Sequence, residues 1–137
     1  MHSSVKIALL LIRVTFGLFL LAWGLNKIVN PAATSGIFAK FYGIESLGAA
    51  SSMIAGGLQV VLAVAIILGL FKTISYGAGL AVHGLSTIST AGHILMPLAE
   101  GSNLLFMAGL PIFGAILALF IARREDTLLS IDTMRAA

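Results

Sequence analysis

Among the hydrophilic residues inside long apolar stretches, the chemistry of five demands an explanation: Arg13, Gln59, His83, Thr87 and Thr90. An arginine at the centre of a membrane helix costs roughly 2.5–3.5 kcal/mol on an insertion scale, so Arg13 needs a partner or an escape. At 100° per residue, Arg13, Gly17, Leu20, Gly24 and Lys27 share one helix face. Small residues thus flank the charge along a seam that faces the bundle or a neighbouring subunit. The alternative is that the long stem lets the guanidinium snorkel to the nearer headgroups. No carboxylate falls deep within an apolar run: Glu45 and Glu100 flank helices, and Glu125, Asp126 and Asp132 follow the last one. A buried ion pair for Arg13 is therefore not expected, and the predicted partners are neutral acceptors, Gln59 first and His83 second.

His83, Ser86, Thr87 and Thr90 cluster on one helix face, with His93 turned away, and form a polar stripe on an otherwise apolar helix. One reading is a site for a polar head such as a quinone, with His83 exchanging protons near neutral pH. The other is structural, the hydroxyls bonding their own preceding carbonyls and His83 bonding across helices. Arg13, Gln59, His83, Thr87 and Thr90 are accordingly the candidate ligand-binding residues, and no catalytic residue is assigned. His83 and His93 are separated by ~15 Å along one helix and point apart, so they cannot share an ion. No metal site is expected, and no haem-ligand pair, phosphate-binding glycine loop, HExxH or nucleophile elbow stands out. A quinone is the one candidate cofactor.

The elements that must position these residues follow from composition. The 137 residues are 59% hydrophobic and 9% charged, with a mean hydropathy of +1.09. An ordinary soluble domain has about 25% charged residues, and a chain this short cannot hide so much apolar surface from water. The expected solvent is lipid. Apolar runs of about 20 residues, the length a helix needs to cross a bilayer, are predicted at 5–25, 47–71, 74–96 and 104–122. Helices are the only option for them, since no period-2 pattern of a barrel is present. The fold expected is an all-α integral membrane four-helix bundle, a single transmembrane domain over 1–137.

Several details refine it. The run after Lys6 resembles a secretory signal, but Arg13 interrupts it and no small-residue cleavage site follows, so it reads as a retained first span. In the first loop Ile37, Phe38, Phe41 and Ile44 fall on one side, which predicts a short interfacial helix. Lys72 and Thr73 leave only a tight turn between the second and third spans. Gly48, Ser52 and Gly56, then Ser75 and Gly79, Gly77 and Ala81, and Gly114, Ala118 and Ala122 form small-residue seams for close helix approach. Pro111 should bend the last span by freeing the carbonyl of Met107. A polar tail, 123–137, should leave the bilayer, with 127–134 forming an amphipathic surface helix. Trp23 and Tyr42 are expected at the outer interface, with Trp23 facing a partner as the alternative. Lys6, Lys72, Arg123, Arg124 and Arg135 share one side and Lys27 and Lys40 the other, so both termini are predicted to be cytoplasmic. The basic residues are scattered at helix ends, which argues against nucleic acid as a partner. With no cysteine, thiol chemistry is excluded.

The stretch from Arg13-Val-Thr-Phe-Gly17 to Trp23-Gly24-Leu25-Asn26-Lys27 resembles the first span of the DoxX-like membrane protein family. Tyr42-Gly43-Ile44, Gly56-Gly57-Leu58-Gln59 and Leu68-Gly69-Leu70 resemble its interfacial loop and second span, with Gln59 where a glutamate is expected. The resemblance implies a small multi-pass protein of the bacterial inner membrane, in some relatives a subunit of a quinone-linked redox complex. Its partners would be the bilayer and other membrane subunits or further copies of itself. The function expected is an accessory subunit contributing a quinone or lipid pocket. The alternative is a structural or anchoring protein within a larger complex, without chemistry of its own.

Overall fold

The computed structural model describes residues 2–44 and 48–137; Glu45, and Leu47 at the expected start of the second span, lie outside the described residues. Seven α-helices follow in order: α1 Ser3–Val29, α2 Pro31–Tyr42, α3 Ala49–Leu68, α4 Lys72–Ser89, α5 Ala91–Leu95, α6 Gly109–Ile121 and α7 Ile131–Ala136, with a 3-10 turn at Leu104–Ala108. α1, α3, α4 and α6 run alternately up and down and form the bundle. Leu9, Phe16, Leu20, Ala63, Ile66, Ile116 and Leu119 fill its centre together with Tyr76. Leu11, Leu18, Ile54, Leu58, Val61 and Ile74 point outward, as a chain surrounded by lipid requires.

Among the described residues, three helical stretches are long and apolar enough to cross a membrane: Ser3–Val29, Ala49–Leu68 and Leu104–Ile121. This corrects the expectation of four spans. The apolar run at 74–96 is divided at Thr90 between α4 and α5. α4 carries Ser75, Tyr76, His83, Ser86, Thr87 and Ser89, too many polar groups for the apolarity the other three share. It is nonetheless a full member of the bundle, packed against α3 and α6.

The α1–α3 pair is the tightest. Buried positions on α1 are Leu9, Arg13, Phe16, Gly17, Leu20 and Gly24, and on α3 Ser52, Gly56, Gln59, Ala63 and Ile66. These alternate three- and four-residue steps keep each stripe facing its partner. Glycine is required at the crossing, because a Cβ on Gly56 would lie 2.6 Å from the carbonyl oxygen of Gly24. Burying leucine gains little in lipid, so this close approach and the hydrogen bonds it permits hold the pair. Of the predicted seams, Gly79 packs on Ile66 and Phe16 and Gly77 on Phe120, whereas nothing lies within 4 Å of a Cβ placed on Gly48 or Gly114.

The first chain break occurs where turn chemistry predicts; the second comes earlier than expected, at residues 69–71, and Lys72 and Thr73 open α4 instead. Asn30 ends α1 and Pro31 opens α2, where its missing amide hydrogen is no loss. α3 closes in a Schellman turn, with Gly69 at φ 62°, its amide on Ile66 O and that of Leu70 on Ala65 O. Pro111 stands close to the junction of the 3-10 turn and α6. It is the third residue of α6, where no intrahelical acceptor awaits its amide, and the preceding residues wind as the 3-10 turn instead.

The tail departs most from expectation. Residues 126–132 fold back against the bundle end, burying Asp126 and Ser130 completely, and α7 spans only Ile131–Ala136 rather than the helix expected at 127–134. Ser130 Oγ and the Asp132 amide both donate to Gly69 O, at 2.9 and 3.1 Å. The Asp132 carboxylate accepts from the amides of Phe71 and Lys72 at 2.7 and 2.8 Å, so the tail caps the N-terminus of α4.

Candidate functional site

The five candidate residues fall into three separate places. Arg13 lies at the end sealed by the tail and is 1% exposed. Its Nε donates to Ile67 O at 3.1 Å, Nη1 to Asp126 Oδ1 at 2.8 Å, and Nη2 to Leu128 O and Leu129 O at 3.0 Å each. Tyr76 OH donates to the other Asp126 oxygen at 2.6 Å, and Lys72 Nζ to the Asp126 carbonyl at 2.6 Å. The buried ion pair judged unexpected is therefore present, and Gln59 and His83 are not partners of Arg13. The reason is depth. α1 overshoots its neighbours, so Arg13 stands level with Ile67, the penultimate residue of α3, where carbonyls of the returning tail can reach it. A signal was available: Arg13 needs an anion, and three carboxylates follow the last span directly.

Gln59 occupies the α1–α3 seam nearer the opposite end. Its Oε1 accepts from Lys27 Nζ and its Nε2 donates to Leu20 O at 3.0 Å, while Ser52 Oγ donates to Lys27 O at 2.7 Å. Every one of these bonds joins the two helices. Gln59 acts there as a bridge between α1 and α3.

His83, Thr87 and Thr90 do come together. They line a pocket of about 350 Å³ between α1, α4 and the start of α6, open on one side. Ser86 joins them on the α4 wall, Phe19 and Trp23 supply the α1 wall, and Asn103, Leu105 and Phe106 the third. α4 turns its polar stripe inward at this level because Gly84 lets it settle on Phe113 of α6, 3.4 Å from where a Cβ would stand.

His83 Nε2 is 2.9 Å from the carbonyl oxygen of Gly109. A carbonyl only accepts, so Nε2 carries the hydrogen and a neutral ring presents a lone pair at Nδ1. Among the described residues nothing bonds that Nδ1. The ring is wedged edge-on by Phe16 and Phe19, with centroids at 6.2 and 5.6 Å. Thr87 Oγ1 donates to His83 O at 2.9 Å and Thr90 Oγ1 to Ser86 O at 3.0 Å, so both hydroxyls satisfy their own helix and offer the pocket only lone pairs. The structural reading of these threonines thus holds alongside the cavity. Ser86 Oγ and Asn103 Nδ2, which make no hydrogen bond within the described residues, are the donors on its polar side. Sequence reasoning did not place Trp23 or Asn103 here, because neither lies on the α4 stripe.

The DoxX family model matches residues 8–92, more than half of the chain and the part that carries α1 to α4 with all five candidate residues. Asp126 and α6 lie beyond the match. No curated protein and no solved structure matches the chain.

Proposed function

Because the chain belongs to the DoxX family of membrane proteins, we propose that it serves as an accessory subunit of a quinone-linked redox assembly, holding the quinone head in the pocket beside His83. The observation that supports this reading is the pairing of chemistries in one cavity. Aromatic faces from Phe19, Trp23 and Phe106 suit a flat ring, and the cavity volume is within the ~300–1,000 Å³ range of small-molecule sites. The polar wall offers donors at Ser86 and Asn103 to a quinone carbonyl and an acceptor at His83 Nδ1 to a quinol hydroxyl. The open side would let an isoprenoid tail run out among the lipids.

In this reading the end of the bundle bearing Lys6, Lys72, Arg123, Arg124 and Arg135 faces the cytoplasm of a bacterial inner membrane, as the positive-inside rule favours. The pocket then lies in the outer half. His83 Nδ1 would accept a hydrogen bond from a bound quinol hydroxyl and so orient the head, the oxidation itself belonging to a partner subunit.

The chain contains one tryptophan, and it lines the pocket. A short-chain ubiquinone entering the site should therefore quench Trp23 fluorescence in lipid particles, and native membranes should yield protein with quinone attached by mass spectrometry. Ser86→Phe, which fills the cavity, should abolish both signals. Absence of copurified quinone together with no saturable quenching would remove the proposal.

A second reading, an anchor or spacer within a larger complex, is favoured by Gly114 and Ala118, which α6 turns outward. It requires a stoichiometric partner whose capture is indifferent to pocket substitutions.

A further inference from the structure

We infer that His93 is a proton-sensitive latch on the pocket: as neutral imidazole it pins the wall formed by Asn103 and the 3-10 turn, and on protonation it releases that wall. The inference rests on the pocket being a ligand site and concerns when that site is closed.

The wall is poorly held. Residues 97–103 form an irregular connection with Gly101 at φ 82°, braced by the local bonds Ala99 N to Met96 O at 3.2 Å and Ser102 N to Ala99 O at 3.0 Å. The 3-10 turn that follows has inherently poor hydrogen-bond geometry. Among the described residues, one hydrogen bond ties residues 97–108 to the helices that precede them, the Asn103 amide donating to His93 Nδ1 at 2.9 Å. Asn103 in turn starts the 3-10 turn, its Oδ1 accepting from the Leu105 amide at 3.0 Å and its carbonyl from Phe106 N at 3.1 Å. Asn103, Leu105 and Phe106 all line the pocket. A single hydrogen bond to a histidine, beside the ring contacts of Phe106 with His93 and Phe41, thus ties one of its three walls to the preceding helices.

That bond exists in one protonation state only. A backbone amide cannot accept, so Nδ1 must keep its lone pair; an imidazolium would oppose one N–H with another. Imidazole is the one ordinary side-chain group that changes charge between about pH 5 and 8, which is what makes such a contact sensitive to protons. The His93 ring also stacks on Phe106, with centroids 4.5 Å apart and planes at 31°, and meets Phe41 of α2 edge-on at 6.1 Å. Protonation strengthens a cation–aromatic contact, so Phe106 keeps its neighbour while Asn103 loses its own. The wall should loosen at Asn103 first.

The other titratable groups on the packed elements do not engage the imidazole. On α2, the Lys40 ammonium lies over the Phe41 ring at 5.3 Å and Tyr42 packs on Phe38. Glu100 in the connection is exposed, the 3-10 turn has no ionisable side chain, and His83 of α4 is bonded to Gly109 O. Among the described residues none of them pairs with His93.

The test uses the whole chain in lipid particles with two readouts, hydrogen exchange at the Asn103 amide and quenching of Trp23 by a short-chain ubiquinone. Corrected for intrinsic chemistry, exchange in the wild type should be about fivefold to tenfold faster at about pH 5 than at about pH 8, the factor one lost hydrogen bond allows, and quinone binding weaker by a similar factor. His93→Asn keeps an acceptor near the position of Nδ1 without titrating and should exchange slowly and bind well at both pH values. His93→Phe keeps the ring and lacks the acceptor, and should behave at both as the wild type does in acid. His83→Asn should retain the pH step in Asn103 exchange. A pH step that survives in His93→Asn, or its absence from the wild type, overturns the latch. If exchange steps as stated while no quinone binds at either pH, the latch stands and the quinone reading falls. If quinone binds equally at both pH values with no exchange step, the latch falls alone.

Discussion

The two ends of the bundle handle polar groups in opposite ways. At the sealed end Arg13, Asp126, Tyr76, Ser130 and Asp132 are hydrogen-bonded to one another or to backbone, and the guanidinium alone makes four such bonds. At the open end His83 leaves a lone pair unused, the threonines bond only their own helix, and one hydrogen bond fixes a wall. In a medium without water an unpaired polar group costs several kcal/mol, so a satisfied network rigidifies and an unsatisfied one invites a ligand. Arg13, the most conspicuous residue of the sequence, therefore belongs to the rigid end, and the plainer histidine and hydroxyls to the receptive one.

That contrast is broken most severely at Asp126. Asp126→Ala leaves Arg13 buried without its counter-charge and should destabilise the fold by about 3–5 kcal/mol, read as a fall in unfolding midpoint in detergent. Replacing both partners, Arg13→Met with Asp126→Leu, should recover much of that loss, since no orphaned charge remains. A double variant no better than the single would mean that the guanidinium bonds to Ile67, Leu128 and Leu129 matter more than the ion pair.

Tyr76→Phe removes one bond to the same carboxylate and keeps the packing, so a loss of roughly 1.5–3 kcal/mol is expected in the same measurement. Gly56→Ala should cost roughly 1–3 kcal/mol by forcing α1 and α3 apart, while Gly57→Ala, one residue along with open space around it, should be nearly neutral. Equal effects at the two glycines would argue against the close α1–α3 approach. At the receptive end, Thr90→Val should change stability within about 0.5 kcal/mol, because its hydroxyl serves only its own helix, yet alter quinone affinity measured by Trp23 quenching.

Much of the α1–α3 seam was legible in the sequence, because Arg13, Gly17, Leu20 and Gly24 recur at helical period and a helix has no freedom to scatter them. The helix in the first loop was equally local, set by Pro31 and Gly43, whereas the turn expected at Lys72 and Thr73 falls at residues 69–71, where Gly69 takes a positive φ. The α4 stripe was legible as a stripe. Whether it lined a cavity was not, since that depended on Phe19, Trp23 and Asn103 arriving from other elements. The count of spans failed because the run at 74–96 divides at Thr90 and its longer part, α4, carries too many polar groups for the apolarity of the other three.

By itself, the order of residues determined that this chain is helical, that lipid surrounds it, and which face of each long helix is turned inward, all consequences of short-range periodicity and of how few charges it carries. Only the tertiary structure decided what meets Arg13, since Asp126 lies 113 positions away along the chain and reaches it through a reversal of the tail that no local pattern encodes. Depth was decided there too: how far a residue stands from the end of a bundle depends on where neighbouring helices stop, and that is a property of their packing.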